Sequence, residues 1–96
     1  MEIFIVLLPV EFTNTPSVVE KIHNETFLSI DALNKTLKEV LELDDSETDE
    51  AFEYIHIFTI DKFISNLNNE EINIHNYFVT SVNIIFDEEP TKKTTQ

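Results

Sequence analysis

A run of acidic residues in the middle of the chain is its densest set of potentially chemical side chains. Asp45, Glu47 and Asp49 alternate there as the first ligands of a calcium-binding loop do. Such a loop also needs glycine at its sixth position and a bidentate glutamate at its twelfth, whereas this chain has Glu50 and His56 there. The pattern therefore predicts a solvated acidic loop that joins a helix to a strand, and not a calcium site.

The three histidines are the other residues suited to metal binding or proton transfer. His23, His56 and His75 fall in separate predicted elements. None has a second ligand three or four residues away, as a metal site on one helix requires. His56 lies within an aromatic segment, so we expect a packed or hydrogen-bonded imidazole there.

The chain contains no glycine. Phosphate-binding loops, dinucleotide fingerprints and nucleophile elbows depend on glycine, because the backbone must approach a ligand closely or turn sharply at those positions. Paired carboxylates could still serve a small hydrolase, but no spacing raises any pair above the rest, so this is the least favoured interpretation. We therefore predict a non-enzymatic protein with no catalytic residue, no cofactor and no bound metal.

The charge balance limits the classes of partner. Nineteen Asp and Glu stand against six Lys and no Arg, which gives a net charge of −13. Nucleic acids and anionic lipids attract Lys and Arg, so we expect neither as a direct partner. A basic protein surface would be attracted by the negative field, and is the partner that we predict.

The sequence has no segment typical of a membrane anchor or a leader. The longest apolar run, residues 3–10, falls well short of the roughly 20 residues needed to span a bilayer and includes Pro9. Glu2 precedes it where a signal peptide would carry positive charge. With no cysteine, the chain needs no oxidising compartment, and we expect a cytoplasmic protein.

Three segments have the character of strands. Residues 2–12 are almost continuously apolar, which predicts a central strand covered on both faces. Residues 52–58 alternate aromatic and aliphatic side chains, and residues 77–86 have one apolar and one mixed face. We expect the mixed face of this last strand to be partly exposed.

Three cap residues precede apolar residues at helical spacing. Ser17 and Glu20 have the spacing of a capping box and predict a short helix. Ser29 precedes the clearest helix, which extends to about Leu43. Thr59 precedes a helix of about ten residues.

Turns in a chain without glycine need another residue type where φ is positive. Asparagine and aspartate tolerate this conformation best. Asn14, Asn24, Asn69 and Asn76 stand where predicted elements end. We expect asparagines of this kind to occupy such positions.

The predicted order of elements is β-α-α-β-α-β, an α/β or α+β fold with a small three-stranded sheet, parallel or mixed, and about three helices. Whether helices cover one face of the sheet or both is left open. Residues 1–86 are predicted to form a single domain, and residues 87–96 a disordered acidic and polar tail.

Charge and size together lead to two hypotheses of function. The first is an acidic protein-interaction domain, in its sharper form a nucleic-acid mimic that inhibits a basic nucleic-acid-binding protein, as small acidic inhibitors of phages and mobile elements do. The second is a small subunit or homodimer in which charge has no specific role. Under either hypothesis the protein is expected to be a monomer or a homodimer. Under the first, the predicted partner-binding residues are Glu42, Asp44, Asp45, Glu47, Asp49, Glu50, Asp87, Glu88 and Glu89.

Overall fold

The computed structural model describes residues 1–12 and 15–85, which form a four-stranded sheet with four α-helices. The strands are β1 (Glu2–Pro9), β2 (Thr26–Phe27), β3 (His56–Thr59) and β4 (Tyr77–Ile84). The helices are α1 (Thr15–Ile22), α2 (Ile30–Val40), α3 (Asp45–Phe52) and α4 (Ile60–Asn68), and a 3₁₀ turn spans Ile74–Asn76. The predicted mixed class is confirmed, although the predicted counts of three strands and three helices are wrong. The predicted tail, residues 87–96, lies outside the described residues.

The strand order is β2-β4-β1-β3, with β1 antiparallel to both of its neighbours and β2 parallel to β4. The sheet is therefore mixed, and the central position predicted for the first strand is confirmed. The fourth strand was missed because β2 has two residues, which is too short for any alternation of side chains. The connection from β1 to β3 contains three helices and β2, and it joins antiparallel strands. The strands β3 and β4 are parallel to each other, with β1 between them.

The main hydrophobic core lies on one face of the sheet. Side chains alternate across a strand, and β1 contributes its even-numbered residues to this face. Helices α1 and α2 supply the opposing layer. The buried members of the cluster are Phe4, Val6, Leu8, Val18, Ile22, Leu33, Leu37, Leu41, Ile55, Val82 and Ile84.

The second face of the sheet is partly covered by α4. Leu7 projects to this face, away from the main core, yet it is fully buried. Helix α4 contacts β1 and β3 and contributes no side chain to the main core. Helices therefore lie on both faces of the sheet. The helices cover this face incompletely, since Ile3 is 47% exposed and Val79 is 39% exposed. The partial exposure expected for this face of β4 is therefore confirmed.

The helix starts follow their capping residues, with one exception. The hydroxyls of Ser29 and Thr59 accept the backbone N–H groups at the starts of α2 and α4, as predicted. The predicted start of α1 at Ser17 is wrong, because the helix already begins at Thr15. Pro16 fits its first turn, where no N–H is needed, and the Thr15 hydroxyl donates to the Pro9 carbonyl at 2.9 Å.

The predicted acidic loop, residues 42–50, is wrong from Asp45 onward, because α3 begins there and continues to Phe52. Asp44 and Glu47 have capping-box spacing, and Phe52, at the other end of α3, packs against the main core. These interactions hold a segment whose sequence lacks an apolar period. The following strand accordingly begins at His56 and not at Phe52.

Three described residues have positive φ: Asn24 at 61°, Glu42 at 59° and Glu70 at 59°. The expectation is confirmed at Asn24 but wrong at Asn69, where φ is −89°, and at Asn76, which is not among the residues with positive φ. Asn14 lies outside the described residues. Glu42 and Glu70 follow the C-caps of α2 and α4, and each donates its N–H back to the final helical turn. In each case the N–H of the next residue donates to a carbonyl five residues earlier, which completes the Schellman arrangement. The positive φ at Glu42 and Glu70 therefore follows from the way each helix ends, and not from the type of residue at that position.

Candidate acidic interaction surface

Helix α3 begins with a reciprocal pair of hydrogen bonds. The Asp44 carboxylate accepts the Glu47 N–H at 3.0 Å, and the Glu47 carboxylate accepts the Asp44 N–H at 3.1 Å. The Ser46 hydroxyl also donates to Asp44 at 2.7 Å. This last bond is the main reason why the pKa of Asp44 is lowered from its usual value. Two of the predicted partner-binding residues therefore also stabilise the helix start.

The junction between α2 and α3 neutralises one acidic residue. Lys38, on α2, forms an ion pair with Asp45, and that hydrogen bond raises the pKa of Lys38. Among residues 1–12 and 15–85, it is the one ion pair formed by a residue of the acidic segment. Glu42 lies at the same junction, exposed and in the left-handed conformation.

The rest of α3 presents exposed carboxylates. Thr48, Ala51 and Phe52 are its partly buried residues, whereas Asp49 and Glu50 are exposed. The last turn of α3 contains no basic residue. Cationic side chains on the described elements lie instead on α1, α2 and α4, at Lys21, Lys35, Lys38 and Lys62. Among the described residues, α3 thus carries no lysine of its own, and Lys38 reaches it only at Asp45.

The structure brings most of the predicted site residues together. Asp44, Asp45, Glu47, Asp49 and Glu50 lie on one helix and its cap, with Glu42 two residues earlier. Asp87, Glu88 and Glu89 lie outside the described residues.

Sequence reasoning missed one carboxylate of this surface. Glu53 is the C-cap of α3 and is exposed. It follows Asp49 by four residues, a spacing that places both on the same side of a helix. The signal was present in the sequence, but it has meaning only once the segment is recognised as helical. From here, "the α3 surface" denotes Glu42, Asp44, Asp45, Glu47, Asp49, Glu50 and Glu53.

A cleft of about 550 Å³ adjoins the α3 surface. It combines two carboxylates with aromatic rings from three separate parts of the chain. Phe12, Glu50 and Tyr54 also line a smaller depression of about 240 Å³. The lining of the larger cleft is Pro9, Glu11, Phe12, Glu50, Tyr54, Asn76 and Tyr77.

His56 is packed among aromatic rings, as predicted. Its imidazole stacks on Phe58 with ring centroids 5.4 Å apart, and meets the edge of Tyr77 at 5.5 Å. The Tyr77 hydroxyl lies 3.4 Å from Nε2 of His56. Burial lowers the pKa of His56, which favours its neutral form.

The other two histidines belong to other parts of the chain. His23 is hydrogen-bonded through Nδ1 to the Thr80 hydroxyl at 2.9 Å, which ties the end of α1 to β4. His75 is exposed in the 3₁₀ turn. Among the residues that the structure describes, no group of three His, Cys, Asp or Glu side chains is arranged to hold a metal ion.

Comparison of the chain with protein-family models, with curated proteins and with solved structures finds no significant match. Across the described part of the chain, no helix has the length and apolar character needed to cross a bilayer.

Proposed function

We propose that this chain is a non-enzymatic interaction domain whose α3 surface docks on a basic protein. The observation that carries the proposal is the α3 surface itself, in which exposed carboxylates occupy one helix and its flanks. In the part of the chain that the structure describes, Lys38 is the one lysine that pairs with any of them. Opposite charge accelerates encounter with a basic partner and fixes its orientation.

The arrangement of charge on α3 opposes the stability of the helix. Asp45 and Asp49, and then Asp49 and Glu53, are like charges four residues apart, a spacing that destabilises a helix. Glu50 and Glu53 also lie at the end of the helix where the backbone dipole disfavours anions. Local conflicts of this kind are expected where a surface serves binding rather than folding.

The sharper form of the proposal is mimicry of a nucleic acid. From Asp44 to Glu53 the chain carries six carboxylates. At a rise of about 1.5 Å per residue they span roughly 14 Å, or one charge per about 2 to 3 Å. Duplex DNA carries one charge per roughly 1.7 Å and each strand one per roughly 3.4 Å. The carboxylates would therefore stand in for phosphates at a similar linear density.

Competition with DNA tests the proposal. We expect the chain to displace a fluorescent DNA duplex from purified core histones, used as the basic probe, and its affinity to fall steeply as salt is raised. A salt slope near zero would remove the mimicry.

Matched variants separate the α3 surface from total charge. The first replaces Asp49→Asn, Glu50→Gln and Glu53→Gln, and the second replaces Glu20→Gln, Glu39→Gln and Glu71→Gln, all exposed and outside α3. The two sets of substitutions change the net charge by the same amount. We expect the first set to weaken competition much more than the second, whereas equal effects would contradict a localised site.

A second candidate is a homodimer or small subunit that packs an apolar face. Ile3 and Val79, on the second face of the sheet, are exposed, as are Ile60 and Ile64 on α4. The strand β3 also forms one edge of the sheet. Such association would persist at high salt, so gel filtration at low and high salt distinguishes it from docking through α3.

A further inference from the structure

The cleft beside α3 combines the two features that recognise a guanidinium group. Carboxylates of Glu11 and Glu50 line it together with the rings of Phe12, Tyr54 and Tyr77. A guanidinium group is planar and cationic, so it stacks on aromatic faces while its N–H groups donate to carboxylates. None of the lining residues is a lysine. The rings distinguish this cleft from the remainder of the acidic surface.

The chain holds the walls of the cleft in place. The Val10 N–H donates to the Asn76 carbonyl at 3.0 Å, and the Phe12 N–H donates to the Pro9 carbonyl at 3.3 Å. These bonds fix the turn that carries Glu11. On the other side, Tyr77 contacts the His56 ring. A preformed cleft loses less conformational entropy when a side chain enters it.

The cleft is continuous with the α3 surface because Glu50 belongs to both. Its volume of about 550 Å³ lies within the range of small-molecule sites, which is ample for one long side chain and the backbone beside it. We infer that the cleft receives one arginine side chain of the basic partner, with Glu11 and Glu50 pairing with the guanidinium and Tyr54 stacking on it. This inference rests on the proposed function and names the partner's anchoring residue.

Arginine is favoured over lysine by the lining. The ammonium group of lysine is a compact, strongly hydrated charge, which gains less from a flat aromatic wall than the weakly hydrated guanidinium does. Tyr54 is 54% exposed, so its ring is available to an incoming group. Two carboxylates from different elements can approach the guanidinium from two directions.

Titration with small probes tests the assignment directly. We would follow backbone amide shifts of the full chain with N-acetyl-arginine amide, N-acetyl-lysine amide and N-acetyl-citrulline amide, the last being a neutral analogue of similar shape. We expect saturable shifts around Glu11, Tyr54 and Tyr77 with the arginine probe, weaker ones with lysine and none with citrulline. Equal responses to arginine and lysine, or to arginine and citrulline, would overturn the assignment.

Variants locate the binding and separate the two proposals. Glu11→Gln and Tyr54→Leu should each raise the Kd of the arginine probe about fivefold, whereas Glu20→Gln, outside both the cleft and the α3 surface, should leave it unchanged. All three positions are exposed, so the fold should persist, and an unchanged amide spectrum would check this. If the chain competes with DNA for histones through α3 but Glu11→Gln and Tyr54→Leu have no effect on the arginine probe, the cleft inference fails and the proposed function stands. Loss of both activities from the unaltered chain would refute both.

Discussion

Leu7 and His56 are direct neighbours across the antiparallel pairing of β1 and β3. Residues opposite each other in such a pair share one face, so the imidazole lies beside a fully buried leucine on the second face of the sheet. The aromatic ring of Tyr77, at the start of β4, completes this environment. A small second core therefore supports the sheet on the side opposite α1 and α2.

The second core predicts unequal effects of truncation along β1. Leu7→Ala should destabilise the fold by about 2–5 kcal/mol, because it leaves a cavity beside β3. Ile3→Ala, on the same face but nearly half exposed, should cost about 1 kcal/mol or less. Urea unfolding of both variants measures the difference. Equal losses would contradict the burial of the second face at Leu7.

His56 should make stability depend on pH. Its pKa is lowered by burial in the folded chain, so below a pH of 6.5, the ordinary pKa, the unfolded chain binds a proton more readily than the folded one. The contribution of His56 is therefore complete above pH 6.5 and is lost as the pH falls from there through the lowered pKa. Urea unfolding at about pH 7.5 and about pH 5.5 measures this loss.

The control variants assign this pH dependence to one imidazole. His56→Phe keeps a ring against Phe58 but does not titrate, so the loss between the two pH values should shrink. His75→Gln changes an exposed histidine and should leave it as in the unaltered chain. An undiminished pH dependence in His56→Phe would contradict the prediction.

The features of this fold that could be predicted from the sequence are those that depend on neighbouring residues. The caps Ser29 and Thr59 and the central position of β1 are visible in the sequence, because a cap needs only neighbouring residues and a doubly covered strand needs only continuous apolarity. Helix α3 is harder to detect, since Asp44 and Glu47 supply its start but only its far end packs against the core.

The cleft could not be predicted from the sequence at all. Glu11, Glu50 and Tyr77 are far apart along the chain. They meet because Pro9 pairs with Tyr77 in the sheet and because α3 returns to the same end of β1. A contact of this kind depends on strand register, which a single sequence does not reveal when strands are joined by helices.

The capping box should set the acid sensitivity of α3. The pKa of Asp44 is lowered in the folded chain, so its contribution to stability is present above pH 3.8, the ordinary value, and is lost as the pH falls through the lowered pKa. Asp44→Ala should lower the Tm by about 4 °C at neutral pH. Asp44→Asn retains an acceptor for the Glu47 N–H and should lose less, with a weaker acid dependence. Equal effects of the two variants would argue against the cap.

Glycine should stabilise the chain where φ is positive. Glu70→Gly removes the steric cost of the left-handed conformation and should raise the free energy of unfolding by about 0.5–1 kcal/mol. Asn69→Gly, one residue earlier and at a φ of −89°, gains no such relief and should lower it by about 0.5 kcal/mol through backbone entropy. Thermal unfolding distinguishes the two variants. A loss of stability in Glu70→Gly would contradict the Schellman geometry at the end of α4.

Glu53→Lys should separate stability from binding. A cation at the C-terminal end of α3 interacts favourably with the helix dipole and with Asp49 four residues earlier, so stability should rise by about 0.3–1 kcal/mol at low salt. Competition with DNA for histones should nevertheless weaken. Glu71→Lys makes the same charge change just beyond α4 and should keep competition largely intact. If both variants compete as the unaltered chain does, α3 is not the docking surface, because no property of its fold has been impaired.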